Sequence, residues 1–392
     1  MIENKGEIES LFKKMMSDLD GFIQTDEIYQ EDMKDFDGVI KIQWDICGII
    51  GNQTFKKDYY SYKFGELIDD WGIYLEISNA VLASKFLRCE PFRFSYEARK
   101  NGFAVTHITS WEIEDTDKGA SDRTQKTEPF LIAKINPKKG FHPFMFSKLP
   151  MFREWTKKRT ENENEFGSYL PINQSLGTYE NQVLPVKIFK HFIDKACNIV
   201  IRDCPCRVVN ECKDHEESLG CMMMGASTIG MAMPKDDKGR VVNKEEALEH
   251  VRLSVENGLI PILGRSSMEA EGYDVQDTEH FLSCCFCCSC CCINGKVLSN
   301  VSVSLSTLYQ RMEGITVEVD EDLCTGCEEC LEICVFKGME MIEEKARVNQ
   351  KRCLGCGRCE NSCPSKAISI TITDPSYVNK LIKKLEAHVD VT

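Results

Sequence analysis

The 392-residue chain reads as α+β, with a small N-terminal α+β domain, a central cysteine-rich α/β domain and a compact C-terminal domain built on a cysteine repeat. Three observations predict this. The first third alternates apolar and polar residues at strand period, with one helical stripe between the strands. The middle carries two helical stripes around a buried strand. The cysteines are segregated: Cys47, Cys89 and Cys197 alone precede residue 200, and the other nineteen of the 22 fall between 204 and 363. The expected boundaries are 1–118 for the first domain, 119–182 for a linker and strap, 183–313 for the cysteine-rich domain, 314–374 for the repeat, and 375–392 for a terminal helix or tail.

In order along the chain, the start MIENKGEIESLFKKMMSDLD is amphipathic. In GVIKIQWDI, Ile40, Ile42, Trp44 and Ile46 share one side; GIIGNQ offers a turn, and the aromatic TFKKDYYSYKFGE completes an antiparallel pair. EISNAVLASKFLRCE places Val81, Leu82 and Phe86 at helical spacing with Ser78 or Asn79 as cap, and GFAVTHITSWEIE returns to strand alternation. Over about residues 20–115 this order of elements resembles sterol-carrier-type lipid-binding domains, which implies an apolar small ligand. An ordinary packing or docking domain is the plainer reading. EDTDKGASDRTQKTEP and KKRTENENEFGS read as exposed linkers around the aromatic strap GFHPFMFSKLPMF, since neither can bury enough apolar area to order itself. Ile188, Phe189, Phe192, Ile193 and Ala196 make an apolar helical stripe, and NIVIRDC reads as a buried strand. Asn243 as cap, Glu246 three residues on, the stripe Leu248, Val251, Val255 and the terminal Gly258 predict a helix over 244–257.

With 48 Lys plus Arg against 62 Asp plus Glu, the formal charge of -14 repels nucleic-acid backbones and anionic membrane surfaces. The partners expected are redox proteins with basic faces, or neutral ligands. No apolar run approaches the roughly 18 residues of a membrane-spanning helix, so a cytoplasmic protein is expected. Thiols stay reduced in that compartment, and clustered cysteines there point to metal binding or redox work. GASTIG at 225–230 lacks the Lys-Ser/Thr of a P-loop, and no G-x-G-x-x-G follows a strand, so no nucleotide, flavin or nicotinamide fingerprint is present.

The strongest signal is an internal repeat, CTGCEECLEIC at 324–334 and CLGCGRCENSCP at 353–364, with all four cysteines offset by 29. Each is C-x2-C-x2-C-x3-C. Two-residue gaps aim three thiolates at three corners of a cubane, and the fourth corner needs a more distant residue. The run resembles bacterial two-cluster ferredoxin domains over about residues 314–374. That resemblance implies one 4Fe-4S cluster on Cys324, Cys327, Cys330 and Cys363, and another on Cys353, Cys356, Cys359 and Cys334. Pro364 matches the usual proline after the last cysteine, whereas Val335 departs from it in the first half. Zinc sites pair two C-x-x-C units at longer separations.

Upstream, Cys204, Cys206, Cys212 and Cys221 are spaced C-x-C-x5-C-x8-C, which suits one further 4Fe-4S cluster. Zinc on four thiolates, with His215 substituting, is the rival. Arg202 and Arg207 are candidates for hydrogen bonds to cluster sulfurs or for offsetting the charge of the site. His215 and His280 read as solvated or packed histidines, and Met222, Met223 and Met224 as a core beside a cluster.

CCFCCSCCC supplies Cys284, Cys285, Cys287, Cys288, Cys290, Cys291 and Cys292. As a straight strand it would span about 26 Å at ~3.3 Å per residue, so the chain must curl to serve one cluster. It contains two interleaved C-x2-C-x2-C registers, Cys284, Cys287, Cys290 and Cys285, Cys288, Cys291, with Cys292 left over. Either register could grip three corners of a cubane, leaving the fourth to another residue or to a substrate. Both together could hold a larger cluster, and spare thiols could form a reversible dithiol pair. The bland alternative is a poorly selective zinc or oxidation-prone tract.

The motif order LPVKIFKHFIDKACNIVIRDCPCR, CMMMG, ENGLI, CCFCCSCCC and then the repeat resembles multi-cluster ferredoxin-like iron-sulfur proteins of anaerobic bacteria and archaea, over about residues 183–374. The resemblance implies an oxygen-sensitive electron carrier or reductase subunit. The leading expectation is relay of low-potential electrons through several 4Fe-4S clusters. The alternatives are a cluster-based reductase acting on an apolar substrate at Cys284–Cys292, and an iron-sulfur assembly or redox-sensing protein.

Overall fold

The structure, a computed structural model, describes residues 5–34, 36–90, 93–100, 104–112, 131–135, 143–160, 166–172, 178–179, 182–231, 239–265, 269–270, 273, 275, 277–292, 294–295, 300–308, 311–374 and 376–392. It divides into two compact units, Met1–Asn162 with Asn300–Leu305, and Glu163–Ser299 with Ser306–Thr392.

In the first unit, helix α1 (Lys5–Asp18) buries Ile8, Phe12 and Met16, one residue per turn of its apolar stripe. Two short helices follow, α2 (Phe22–Thr25) and α3 (Glu27–Met33), the latter capped by the Asp26 side chain, which accepts from Tyr29 N–H at 2.8 Å. Then come β1 (Ile40–Ile46), β2 (Ile49–Lys56), β3 (Tyr59–Phe64), β4 (Ile73–Ile77), helix α4 (Ala80–Leu87), β5 (Arg93–Lys100), β6 (Ala104–Glu112) and β7 (Leu131–Ile135). They form one sheet in the order β3-β2-β1-β4-β7-β6-β5, in which only the β1/β4 pair is parallel. Ile40, Ile42, Trp44 and Ile46 all face the core, as their alternation predicts. Of GIIGNQ only Gly48 belongs to the turn; Ile49–Gln53 are already part of β2. The reversal happens earlier, at Cys47 (φ 52) and Gly48 (φ 77), because two successive positive φ values give the tight hairpin turn whose twist matches the flanking strands. Asn79 caps α4, accepting from Leu82 N–H at 3.0 Å.

The aromatic strap belongs to this unit's own core. A 3-10 turn (Pro143–Lys148) leads into α5 (Pro150–Thr160), which buries Met151 and Phe152 and stacks the Phe152 ring on Trp44 with centroids 5.8 Å apart. Arg153 and Asp26 form a buried ion pair beside it. The later segment Asn300–Leu305 is stitched in by Ser302 N–H to Ser147 Oγ (3.0 Å) and Val303 N–H to Asp32 Oδ1 (2.8 Å). The stretch EDTDKGASDRTQKTEP lies outside the described residues, as do residues 161–165 of KKRTENENEFGS. The rest of the latter ends α5 and begins a strand of the second unit.

That second unit opens with β8 (Phe166–Tyr169), a short hairpin of β9 (Thr178–Tyr179) and β10 (Gln182–Val183), and helix α6 (Leu184–Lys195). Next come β11 (Ile199–Ile201), α7 (Pro205–Val209), β12 (Met222–Met224), β13 (Arg240–Val241), α8 (Lys244–Glu256), β14 (Ile260–Arg265) and β15 (Leu282–Cys287). Six of these strands make a sheet in the order β13-β11-β12-β15-β14-β8. Every pairing in it is antiparallel, because the cysteine loop after β11 returns the chain beside the strand it left; the layer is α+β and not α/β. Helix α6 buries Ile188, Phe189, Phe192 and Ile193, and Ala196 follows them into the core. Helix α8 starts in a capping box of Asn243 and Glu246 and is followed by Gly258 at φ +76.

The same unit continues through β16 (Ile315–Val319), α9 (Glu329–Ile333), β17 (Met339–Ile342), β18 (Lys345–Val348), α10 (Arg358–Ser362), β19 (Ile368–Ile372) and α11 (Tyr377–Glu386). β16 pairs with β19 and β17 with β18, so the two halves of the repeat are interleaved.

Candidate metal centres

The repeat folds into two pockets. Cys324, Cys327, Cys330 and Cys363 line one, and Cys334, Cys353, Cys356 and Cys359 line the other, both small and partly open to solvent. Each pocket thus takes three thiols from one half of the repeat and one from the other. Short helices α9 and α10 deliver the third cysteine of each run, and Cys334 and Cys363 follow their last turns. Backbone N–H groups point at the sulfurs: Ala346 to Cys324 (3.4 Å), Gly338 to Cys334 (3.2 Å) and Ala367 to Cys363 (3.3 Å). Gly338 is needed there, since a Cβ would lie 2.9 Å from Cys353 Cα. Burial pushes Cys330 and Cys356 up to about 11 and raises Cys353 and Cys359, so metal binding releases protons from these thiols. Four convergent thiols with amide donors around a central space are the donor set of a 4Fe-4S cluster.

In the cysteine-rich layer, strand alternation sorts the thiols. Along β15, Leu282, Cys284 and Phe286 face the main core, while Cys285 and Cys287 face the opposite apolar layer. Cys284 is fully buried, and its thiol meets only the carbonyl of Cys285 at 3.8 Å among the described contacts. Cys285 reaches Cys221, with sulfurs 3.7 Å apart. The neighbouring thiols of Cys206 and Cys221 hold Cys204 well below the usual thiol range, while Cys204, Cys285 and burial raise Cys221. Cys287 and Cys292 act on each other, the pairing raising the Cys287 thiol and lowering that of Cys292. Cys212 gathers with Cys288, Cys290 and Cys291, and not with the Cys204 group to which its spacing assigned it. Both three-residue registers of CCFCCSCCC are divided between the two layers: Cys284 lies in the main core and Cys287 in the opposite layer, and Cys285 lies in the opposite layer while Cys288 and Cys291 lie in the main core. Past β15 the strand ends and the chain turns, so the spacing of two ceases to govern which way a thiol faces.

Arg207 lies between these groups. It has no exposed surface, and its guanidinium donates to three carbonyls, those of Glu216 (2.9 Å), Leu219 (2.8 Å) and Phe286 (2.6 Å). Among the described residues no carboxylate pairs with it, and Nε is buried without a hydrogen-bond partner. Burial works against the charge, yet the thiols of Cys204, Cys288 and Cys212 raise its pKa. A buried cation needs a counter-charge, and a thiolate-ligated centre supplies it. Arg202 is buried with its guanidinium 5.0 Å from the centroid of the Tyr273 ring. His215 is hydrogen-bonded to Asn257 and His280 to Asp277, both at 2.7 Å, and Met222, Met223 and Met224 are fully buried.

Two residues escaped the sequence reading. Arg358, buried on α10 within the repeat, donates to the carbonyl of Cys287 at 3.0 Å. Gly220 permits the close approach of the Cys204 and Cys221 strands, because a Cβ there would lie 2.0 Å from the Arg202 carbonyl oxygen. Only the position of Gly220 beside Cys221 could have signalled either.

Residues 323–367 match the family of 4Fe-4S dicluster domains. A stretch of 49 residues is 40% identical to an iron-sulfur subunit of the CoB–CoM heterodisulfide reductase of Methanopyrus kandleri, covering 12% of this chain and 7% of that protein. The chain therefore spans only a small part of the relative it matches. Fold, thiol geometry and family match define the class: an iron-sulfur protein with a ferredoxin-like 4Fe-4S region. No helix among the described residues is long and apolar enough to cross a membrane.

Proposed function

We propose that the protein relays low-potential electrons between the ferredoxin-like region and the cysteine-rich layer. Two 4Fe-4S clusters would be held by the two crossed quartets, and a further iron-sulfur centre by the thiols of Cys204, Cys206 and Cys221, with Cys285 in the role that spacing assigned to Cys212. When bound, such clusters store and release single electrons.

The observation that carries the reading is a shared apolar layer. Cys334 and Cys356 of one quartet pack with Cys285, Cys287 and Cys292 around Tyr169, Phe336 and Leu354. Tyr169 and Phe336 meet edge-on with centroids 4.7 Å apart. The bond from Arg358 to the Cys287 carbonyl and that from Ile172 N–H to the Cys356 carbonyl (3.1 Å) tie the same two regions together. These side chains exclude water and hold the thiol groups in fixed relation, which keeps reorganisation small. The Methanopyrus relative is an iron-sulfur subunit of a reductase, which supports a redox protein as partner.

Protein prepared without oxygen should be brown, and reduction by a low-potential donor, followed by rapid freezing and electron paramagnetic resonance, should fill the quartet clusters before the Cys204 site. Cys359→Ala should remove about four irons and slow reduction of the Cys204 site at least tenfold. An unchanged rate would discard the path through that quartet.

A further inference from the structure

We propose that Cys212, Cys288, Cys290 and Cys291 form a separate site for a single tetrahedrally ligated metal ion, iron or zinc, belonging to no cubane cluster. All four sulfurs lie within 4.8 Å of one another, and those of Cys212 and Cys290 are 3.4 Å apart. An ion bound at ~2.3 Å by four thiolates in a tetrahedron sets its sulfurs about 3.8 Å apart. In a cubane each thiolate extends outward from a different iron, so the sulfurs stand wider than the edge of a single-ion tetrahedron.

The molecule contains its own comparison. Neither quartet of the ferredoxin-like region gathers within that distance; each lines a pocket instead. Among the described residues the tight grouping is therefore particular to these four. Cys288 and Cys291 are buried, Cys212 is half-buried and Cys290 is exposed, which places the ion at the edge of the unit. Cys291 N–H donates to Cys288 Sγ at 3.3 Å, fixing the turn that follows β15. Four thiolates around a divalent ion leave a net charge of about −2, and the Arg207 guanidinium lies beside Cys288 and Cys212 to offset part of it. A closed set of four sulfurs leaves no open position for a substrate, so the ion is structural if zinc and a one-electron centre if iron. The inference does not require the electron path proposed above.

The test uses the full-length protein made anaerobically, with iron, zinc and acid-labile sulfide counted per chain in the wild type, Cys290→Ser and Cys212→Ser. The two quartet cubanes predict about eight irons and about eight sulfides, the Cys204 centre adds iron and sulfide together, and the site proposed here adds one further ion. Each variant should lose that one ion with sulfide unchanged, while Cys327→Ser loses iron and sulfide together. Zinc lost identifies the zinc form and iron lost the iron form. Loss of iron and sulfide in equal numbers in the Cys290 and Cys212 variants, or no loss of metal, overturns the proposal. If a variant fails to accumulate, X-ray absorption and Mössbauer spectra of the wild type decide: four sulfurs at ~2.3 Å without a metal neighbour support the site, and their absence refutes it. A slow path with all clusters present would count against the electron relay alone.

Discussion

Arg207 concentrates the electrostatics of the cysteine-rich layer in one side chain. Its guanidinium ties three carbonyls from separate stretches while facing thiols of both groups. Arg207→Met should destabilise the second unit by about 3 kcal/mol, since it strands buried carbonyls and removes a buried charge from its partners. It should also make the neighbouring cluster harder to reduce, because a cation favours the more negative state. Arg207→Lys should keep most of the potential while losing part of the stability, as an ammonium cannot satisfy the three-way fork. A redox titration followed by electron paramagnetic resonance reads the difference, and a potential unmoved in Arg207→Met would leave the residue a merely structural strut.

At the scale of elements, helix α8 shows what local sequence can specify. The capping box of Asn243 and Glu246 is complete, with reciprocal bonds of 2.9 and 3.0 Å. Asn243→Ala should cost about 1 kcal/mol, seen as a lower denaturant midpoint by circular dichroism with metal content unchanged. The helix was legible because its start, stripe and stop lie within sixteen residues. The strand β1 and the helices α4 and α6 were readable for the same reason, each carrying its own period. Elsewhere the signal was non-local. Nothing near GIIGNQ distinguishes a turn from a strand until α1 is packed over Gly51, where a Cβ would come within 2.9 Å of Met16 Cε. Likewise the crossed quartets followed from a repeat, whereas the sorting of Cys212 away from Cys204 depends on where the turn after β15 meets the loop after α7. Spacing counts residues along one segment, and this site draws on two.

Over the whole molecule, the first unit offers an independent probe, because all four tryptophans, Trp44, Trp71, Trp111 and Trp155, belong to it. Buried within it, Asp32 accepts from Val303 N–H, while its Oδ2 has no hydrogen-bond partner among the described residues. Burial raises its pKa, and the bonds from Ser302 and Val303 and the charges of Lys148 and Arg153 offset this only in part. A carboxyl raised on folding contributes stability below its unfolded value and loses it as pH rises through the folded value. Asp32→Asn, which keeps the acceptor for Val303, should therefore raise the midpoint of the tryptophan-reported transition at pH 7, and the gain should shrink as pH falls toward 4. A gain independent of pH would place the effect elsewhere.

The hexapeptide Asn300–Leu305 has a practical corollary for anyone dividing this protein. It enters the first unit from a position far along the chain and leaves again within six residues. No single proteolytic cut or truncation can yield both halves intact: a fragment ending at 162 lacks the donors for Asp32 and Ser147, and one starting at 163 carries an orphaned peptide between its thiol-bearing parts. Dissection of the metal-bearing half requires a loop replacement at 300–305 in addition to a new N-terminus.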